Sequence, residues 1–103
     1  MSGEREKLLA IAAMQQFNGS FALNQQFCTC LGVALSSVEQ AANTRRWNKD
    51  AFATVVALVY FLKKLTSLKD DWELIADKSK IWLLANYREF ADDMFECAQT
   101  LVL

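Results

Sequence analysis

The stretch AFATVVALVYFL, residues 51–62, contains no charged residue, no glycine and no proline. Asn48 precedes it as a helix-capping residue, and Lys63 and Lys64 follow it, where the negative pole of a helix favours cations. The run is too short to cross a membrane, which takes about 20 apolar residues. A helix that is apolar on all sides belongs inside a protein. The sequence therefore predicts an all-α fold, a compact bundle of five or six helices around a central apolar helix at about 49–65.

The length and composition of the chain limit both the number of domains and the kinds of partner that we expect. At 103 residues the chain is long enough for one hydrophobic core, so we expect a single helical domain over 1–103. Hydrophobic residues make up 53% of the chain, which either forms a dense core or leaves a docking patch exposed. The formal net charge of −1 argues against charge-driven binding to nucleic acid or to an acidic membrane. We therefore expect a protein partner, with no direct nucleic-acid contact and no membrane.

The residue types that most enzyme mechanisms need are scarce. The chain has no histidine, and its three glycines are too widely scattered to form a phosphate-binding loop. Cys28, Cys30 and Cys97 lack the spacing of a CxxC redox pair or a zinc site, and we expect reduced thiols in a cytoplasmic protein. We accordingly predict no catalytic, cofactor-binding or metal-binding residue and expect that the protein is not an enzyme.

The remaining helices are predicted from caps and turn residues. A first helix over 4–16 ends at an Asn18-Gly19 turn, and Phe17 and Phe21 are expected to pin this turn to the core. Asn24 is expected to cap a short helix that runs to Leu31, with Gly32 as its left-handed terminal residue.

Two further helix starts are predicted from polar side chains. Ser36 and Glu39 have the spacing of a capping box for a helix that reaches about Ala42, and Asp70 is placed to cap a later helix. In that later helix Leu74 and Ile81 are expected to widen a buried stripe. The stripe consists of Trp72, Ile75, Ala76, Ser79, Trp82 and Leu83. The pattern is interrupted at Asn86-Tyr87, and a last helix places Phe90, Met94, Cys97, Ala98 and Leu101 on one stripe.

Four pieces of the chain resemble a known family when taken in order. MQQFNGSFALN at 14–24 resembles the pattern LQxxDGSWxLN, with Asn18 and Phe21 where the pattern has Asp and Trp. Residues 30–39 resemble LGxxLExL, and residues 51–58 resemble WATxLALxWL. Residues 71–83 resemble EWELxxxKAxxWL. Together these pieces resemble the C-terminal region of the von Willebrand factor A domain-containing protein 5 and vault poly(ADP-ribose) polymerase family, over about residues 8–84.

The resemblance implies a helical, non-catalytic interaction module. In that family the region is the one that tethers a larger protein to the major vault protein, in the cytoplasmic ribonucleoprotein particle called the vault, and no transferase active site maps onto it. One alternative is a purely structural C-terminal domain that packs against its own von Willebrand-type domain. Another is a ligand-binding bundle, which would contain a closed apolar cavity with convergent polar groups.

The binding surface is predicted from apolar and aromatic residues that the core periodicity does not require. These are Trp47, Tyr87, Phe95, Leu101, Val102 and Leu103, with Arg45 and Arg46 at the rim. The alternative interpretation of the 45–49 cluster is a solvated connector whose indole closes one end of the bundle. Because apolar contacts would dominate such a patch, we expect its affinity to change little with salt.

Overall fold

The computed structural model describes residues 3–103, and Met1 and Ser2 lie outside the described part. Six α-helices follow one another: α1 Gly3–Met14, α2 Gln25–Leu31, α3 Leu35–Arg45, α4 Lys49–Lys64, α5 Lys69–Tyr87 and α6 Ala91–Leu101. Single 3₁₀ turns at Thr66–Leu68 and Arg88–Phe90 precede α5 and α6. The one strand-like pairing within residues 3–103 is an isolated antiparallel bridge between Gln15 and Phe21. The all-α bundle predicted from the sequence is therefore confirmed.

Helix α4 is the central element. The Asn48 side chain accepts a hydrogen bond from the Ala51 amide at 2.9 Å, which is the predicted cap. All of residues 51–59 are buried, and α3, α5 and α6 pack against the helix. Leu62 is 50% exposed, so the last turn of α4 reaches solvent on one side. None of the helices within 3–103 has by itself the length and apolar content needed to cross a bilayer.

The core around α4 contains the side chains that the sequence placed there. Val56, Val59 and Trp72 are buried, and Tyr60 and Trp82 are partly buried against them. The Trp72 indole is stacked on Phe61 with ring centroids 5.4 Å apart. Its Nε1 donates a hydrogen bond to the Leu65 carbonyl at 2.7 Å, so the one polar atom of this large side chain is satisfied.

A lysine on α4 also holds the end of α6. Lys63 Nζ donates to the carbonyl oxygens of Gln99 at 3.1 Å and Val102 at 2.6 Å. The last carbonyls of a helix have no partner within that helix, and they carry its negative pole. Lys63 therefore neutralises the end of a neighbouring helix as well as lying at the end of its own.

Two predicted caps are wrong. Helix α3 begins at Leu35, because the extended Ala34 carbonyl already accepts from the amides of Ser37 and Val38, at 3.1 and 3.2 Å. Ser36 therefore lies within the first turn and makes no cap. Helix α5 begins at Lys69 directly after a 3₁₀ turn, which places Asp70 in the first turn and not at the cap.

The caps of α2 are as predicted. The Asn24 side chain accepts from the Phe27 amide at 2.8 Å, and Gly32 ends the helix in the left-handed region with φ of 73°. Helix α1 stops two residues earlier than predicted, because Gln15 leaves the helix to pair with Phe21.

Candidate functional site

The turn between α1 and α2, residues 15–21, is the most tightly bonded loop near the surface. Gly19 has φ of +100°, and its amide donates to the Gln16 carbonyl at 2.9 Å. The Gln16 amide in turn donates to the Ser20 carbonyl at 2.8 Å. The Asn18 side chain accepts from both the amide and the hydroxyl of Ser20, at 2.9 and 2.7 Å. These bonds fix the backbone of the turn locally.

The same turn is fastened to α5. The Ser79 hydroxyl donates to the Gly19 carbonyl at 2.6 Å, and Gln15 Nε2 lies 2.9 Å from Ser79 Oγ and 3.0 Å from the Ile75 carbonyl oxygen. Gly19 approaches so closely that a Cβ atom there would lie 2.6 Å from the carbonyl oxygen of Lys78. Ser79 is fully buried by this contact. Only glycine fits the approach.

A second attachment joins the turn to α4. The amide of Phe21 donates to Thr54 Oγ1 at 2.9 Å, and that hydroxyl donates to the Asp50 carbonyl at 2.7 Å. The Phe21 ring is fully buried and lies 5.6 Å from the ring of Phe27. The prediction that Phe21 anchors the turn in the core is confirmed.

The prediction for Phe17 is wrong, because its side chain is 96% exposed. Gly19 occupies the space against α5, and Phe17, two residues earlier, is directed away from the core. Its ring lies beside Lys78, with Nζ 5.4 Å from the ring centroid. The tightly bonded turn therefore holds a large aromatic side chain in solvent.

Two residues of α5 extend this exposed apolar surface. Leu74 is 81% exposed and Ile81 is 71% exposed, so the prediction that they widen the buried stripe is wrong. At 3.6 residues per turn, both residues lie about 180–200° around the helix from Trp72. Lys78 is four residues after Leu74 and three before Ile81, so the three are neighbours on one face. Phe17, Leu74, Lys78 and Ile81 together are called the Phe17 face below.

One edge of the Phe17 face is acidic. Asp70, Glu73 and Asp77 follow one another along α5 at the spacing of a single helix ridge, and all three are exposed. The single ion pair within residues 3–103 joins Arg5 Nη1 to Asp71 Oδ2 at 3.1 Å, so it uses none of these three carboxylates. Lys80 ends the ridge toward the C-terminus of α5.

The structure places some of the sequence-predicted site residues together. Arg45 and Leu101 line a groove of about 360 Å³ between α3 and α6. Leu101, Val102 and Leu103 line a second groove of about 350 Å³, beside Tyr60 and Lys64. Val102 is buried there, so its side chain is unavailable to a partner, whereas Leu103 is 89% exposed.

The aromatic side chains predicted for the site are partly covered by contacts within the chain. Trp47 is half-buried, with its ring 5.2 Å from the Phe52 ring and the Arg45 guanidinium 5.2 Å from its centroid. This geometry fits the interpretation of Trp47 as the closure of one end of the bundle. The exposed Arg46 takes φ of 60° at the end of α3.

Tyr87 and Phe95 do not join the two grooves. The Tyr87 ring is half-buried and lies 5.5 Å from the ring of Trp82. Phe95 is likewise half-buried against the core. The sequence-predicted surface is therefore divided between separate places, and its aromatic members are less exposed than Phe17.

The positions of the thiols and carboxylates within residues 3–103 suggest neither a reactive nucleophile nor a metal site. All three cysteines are free, and burial, reinforced by the nearby Glu39 carboxylate, raises the pKa of the Cys28 thiol. A raised pKa keeps this thiol protonated and therefore a poor nucleophile. Across residues 3–103, no cluster of three Cys, Asp or Glu side chains is placed to hold a metal ion.

The chain is similar to part of a longer protein. It is 29% identical over 76 residues to mouse von Willebrand factor A domain-containing protein 5A, covering 74% of the chain and 10% of that protein. The human protein of the same name is 28% identical over 79 residues, covering 77% of the chain and 10% of its own length. No family model and no solved structure matches the chain. The chain is thus an all-α domain with distant similarity to about a tenth of the length of von Willebrand factor A domain-containing protein 5A.

Proposed function

We propose that this chain is a non-catalytic protein-interaction domain of a larger protein and that its partner is the major vault protein. Two observations support an interaction role. The first is the similarity to a segment that forms about a tenth of von Willebrand factor A domain-containing protein 5A, a size typical of one module in a larger chain. The second is the Phe17 face.

The Phe17 face is the observation that carries the proposal. A phenylalanine exposed to 96% gives up the roughly 1.5–3 kcal/mol that its burial would contribute to stability. Phe17 is nevertheless carried by a turn that is hydrogen-bonded to both α4 and α5. Its ring lies beside Lys78, whose neighbours on α5 include two more exposed apolar side chains. An apolar patch of this kind, rimmed by charged side chains, is typical of a protein-binding surface.

The choice of the major vault protein as the partner rests on the sequence resemblance described above. The four matching pieces include the turn, MQQFNGSFALN, and the α5 segment at 71–83, so they contain every residue of the Phe17 face. In this proposal the domain is cytoplasmic and tethers its parent protein to the vault particle. The partner contributes the apolar surface that covers Phe17, Leu74 and Ile81.

The proposal is tested by co-sedimentation of the chain with purified vault particles. We expect Phe17→Ala and Leu74→Gln each to weaken binding by at least about tenfold, because hot-spot side chains of an interface typically contribute 2 kcal/mol or more. The melting temperature should stay nearly unchanged, since both side chains are exposed. Leu62→Gln, another exposed leucine on a different element, is the matched control and should bind normally.

Two other results would redirect the assignment. Loss of binding on alanine substitution of Trp47 or Tyr87, with Phe17→Ala unaffected, would move the site to the sequence-predicted surface. Absence of co-sedimentation at any salt concentration would contradict the vault assignment. The alternative, a structural domain that packs against a von Willebrand-type domain of its own parent protein, would then be favoured.

A further inference from the structure

We infer that the Phe17 face receives an amphipathic α-helix whose apolar stripe is edged by lysine or arginine residues. This inference rests on the proposed interaction role and identifies the kind of element that binds. It follows from the spacing of the apolar residues, from the charges beside them and from what a second copy of this chain would bring to the same face.

The apolar spacing fits a helix. Leu74 and Ile81 are seven residues apart on α5, which separates them by about 10.5 Å at 1.5 Å per residue. A partner helix offers apolar side chains at i, i+3, i+4 and i+7 over the same distance. Lys78 lies between the two along α5, and the Phe17 ring lies beside its ammonium. An extended peptide would gain less, because a helix surface has no free backbone groups with which to extend a sheet.

The charge beside the stripe selects a basic partner. The ridge formed by Asp70, Glu73 and Asp77 presents three exposed carboxylates, none of which is in an ion pair within residues 3–103. On the opposite edge, the Lys78 ammonium already lies over the Phe17 ring. A partner helix with cations along the edge that meets the acidic ridge gains attraction and is oriented by it.

A second copy of the chain packed antiparallel on this face is a poorer occupant. Two α5 helices that pack face to face and antiparallel, about a two-fold axis perpendicular to them, keep each edge against the same edge of the other copy. With Leu74 opposite Ile81 of the other copy, Asp77 would approach Asp77, and Lys78 would approach Lys78. Two like-charge pairs at the centre of so small an interface oppose this antiparallel self-association.

The test uses two synthetic helical peptides and the intact chain at low ionic strength. Both peptides carry leucines at i, i+3, i+4 and i+7, and one edge of the stripe holds lysines in the first and glutamates in the second. Calorimetry should give at least about tenfold tighter binding of the lysine peptide. Leu74→Gln/Ile81→Gln should weaken the binding of both peptides.

Charge reversal supplies the sharper comparison. Glu73→Lys/Asp77→Lys should reverse the preference, so that the glutamate peptide binds more tightly. Glu89→Lys/Glu96→Lys changes the net charge equally but lies outside α5, and it should retain the preference for lysine. Equal binding of the two peptides, or reversal by the control variant as well, would overturn the inference. So would a dimer of the parent chain that Leu74→Gln dissociates, because the occupant would then be a second copy.

The two experiments test the identity of the partner and the kind of element that binds independently of each other. If vault particles bind the chain and Glu73→Lys/Asp77→Lys binds them equally well, the proposed function stands and the basic helix is wrong. If the peptide preferences hold while vault particles do not bind, the basic helix stands and the vault assignment is wrong.

Discussion

Gly19 and Gly32 both hold positive φ angles, but they differ in what surrounds them. A Cβ at Gly19 would meet the Lys78 carbonyl at 2.6 Å, whereas one at Gly32 would find nothing within 4 Å. Gly32→Ala should therefore cost only about 1 kcal/mol of stability, from the left-handed conformation itself. Gly19→Ala should cost at least about 1 kcal/mol more, because the turn must also move away from α5.

Chemical denaturation of the two glycine variants measures this difference directly. Equal destabilisation would mean that the turn does not lie against α5 as described. The comparison also bears on Phe17, because that residue lies in the same turn, two residues before Gly19.

At the scale of single elements, α4 contains both a fully buried position and a half-exposed one, so the same substitution can be compared at the two positions. Val56 is fully buried, so Val56→Asp places an unpaired carboxylate in the core and should abolish cooperative thermal unfolding. Leu62→Asp introduces the same group at a half-exposed site and should retain a cooperative transition. Circular dichroism melts distinguish the two, and similar melts for both variants would contradict the central position of α4.

The link between α4 and α6 allows a second comparison, between substitutions of the adjacent residues Lys63 and Lys64. Lys63→Met removes the ammonium that binds the Gln99 and Val102 carbonyls, and we expect a loss of about 1 kcal/mol. Lys64→Met removes a charge at the adjacent residue and should change stability by less than about 0.5 kcal/mol. Urea denaturation of both variants provides the measurement. Equal losses would show that the pole of α4, and not the end of α6, is what the lysines stabilise.

The elements differ in how far the sequence predicts their ends. Asn24 and Asn48 act as caps as predicted, because each is followed by a helix whose start depends on local bonds alone. Ser36 and Asp70 lie inside helices that begin earlier, since the extended Ala34 is already the cap residue of α3 and a 3₁₀ turn leads directly into α5. The path of the chain before a helix is set by tertiary packing, which a capping pattern does not contain.

For the whole molecule, one core predicts one unfolding transition. The radius of gyration is 12.5 Å, close to the about 13 Å expected for a folded chain of 100 residues. Trp47 lies between α3 and α4, Trp72 and Trp82 lie ten residues apart on α5, and all three pack against the same core. Tryptophan fluorescence and far-ultraviolet circular dichroism should therefore report the same midpoint. Separate midpoints would mean that part of the bundle unfolds independently.

The site was less accessible to sequence reasoning than the fold. The turn that carries Phe17 is fixed by a hydrogen bond between Gln15 and Ser79, which are 64 residues apart, and no local pattern contains that bond. The exposure of Leu74 and Ile81 was available in principle, because residues two and nine positions after Trp72 lie on the opposite side of an α-helix. The prediction that Leu74 and Ile81 widen the buried stripe missed this second face of the helix.

The fastening of the 15–21 turn has a thermodynamic consequence for any partner of the Phe17 face. Ordering a loop when a complex forms is entropically unfavourable, and here the backbone of the loop is already held by hydrogen bonds in the free protein. Ser79→Ala removes the hydroxyl that binds the Gly19 carbonyl and leaves Phe17 itself in place. Its complex should therefore form with a more unfavourable entropy while the apolar contacts, and the heat-capacity change they cause, stay the same.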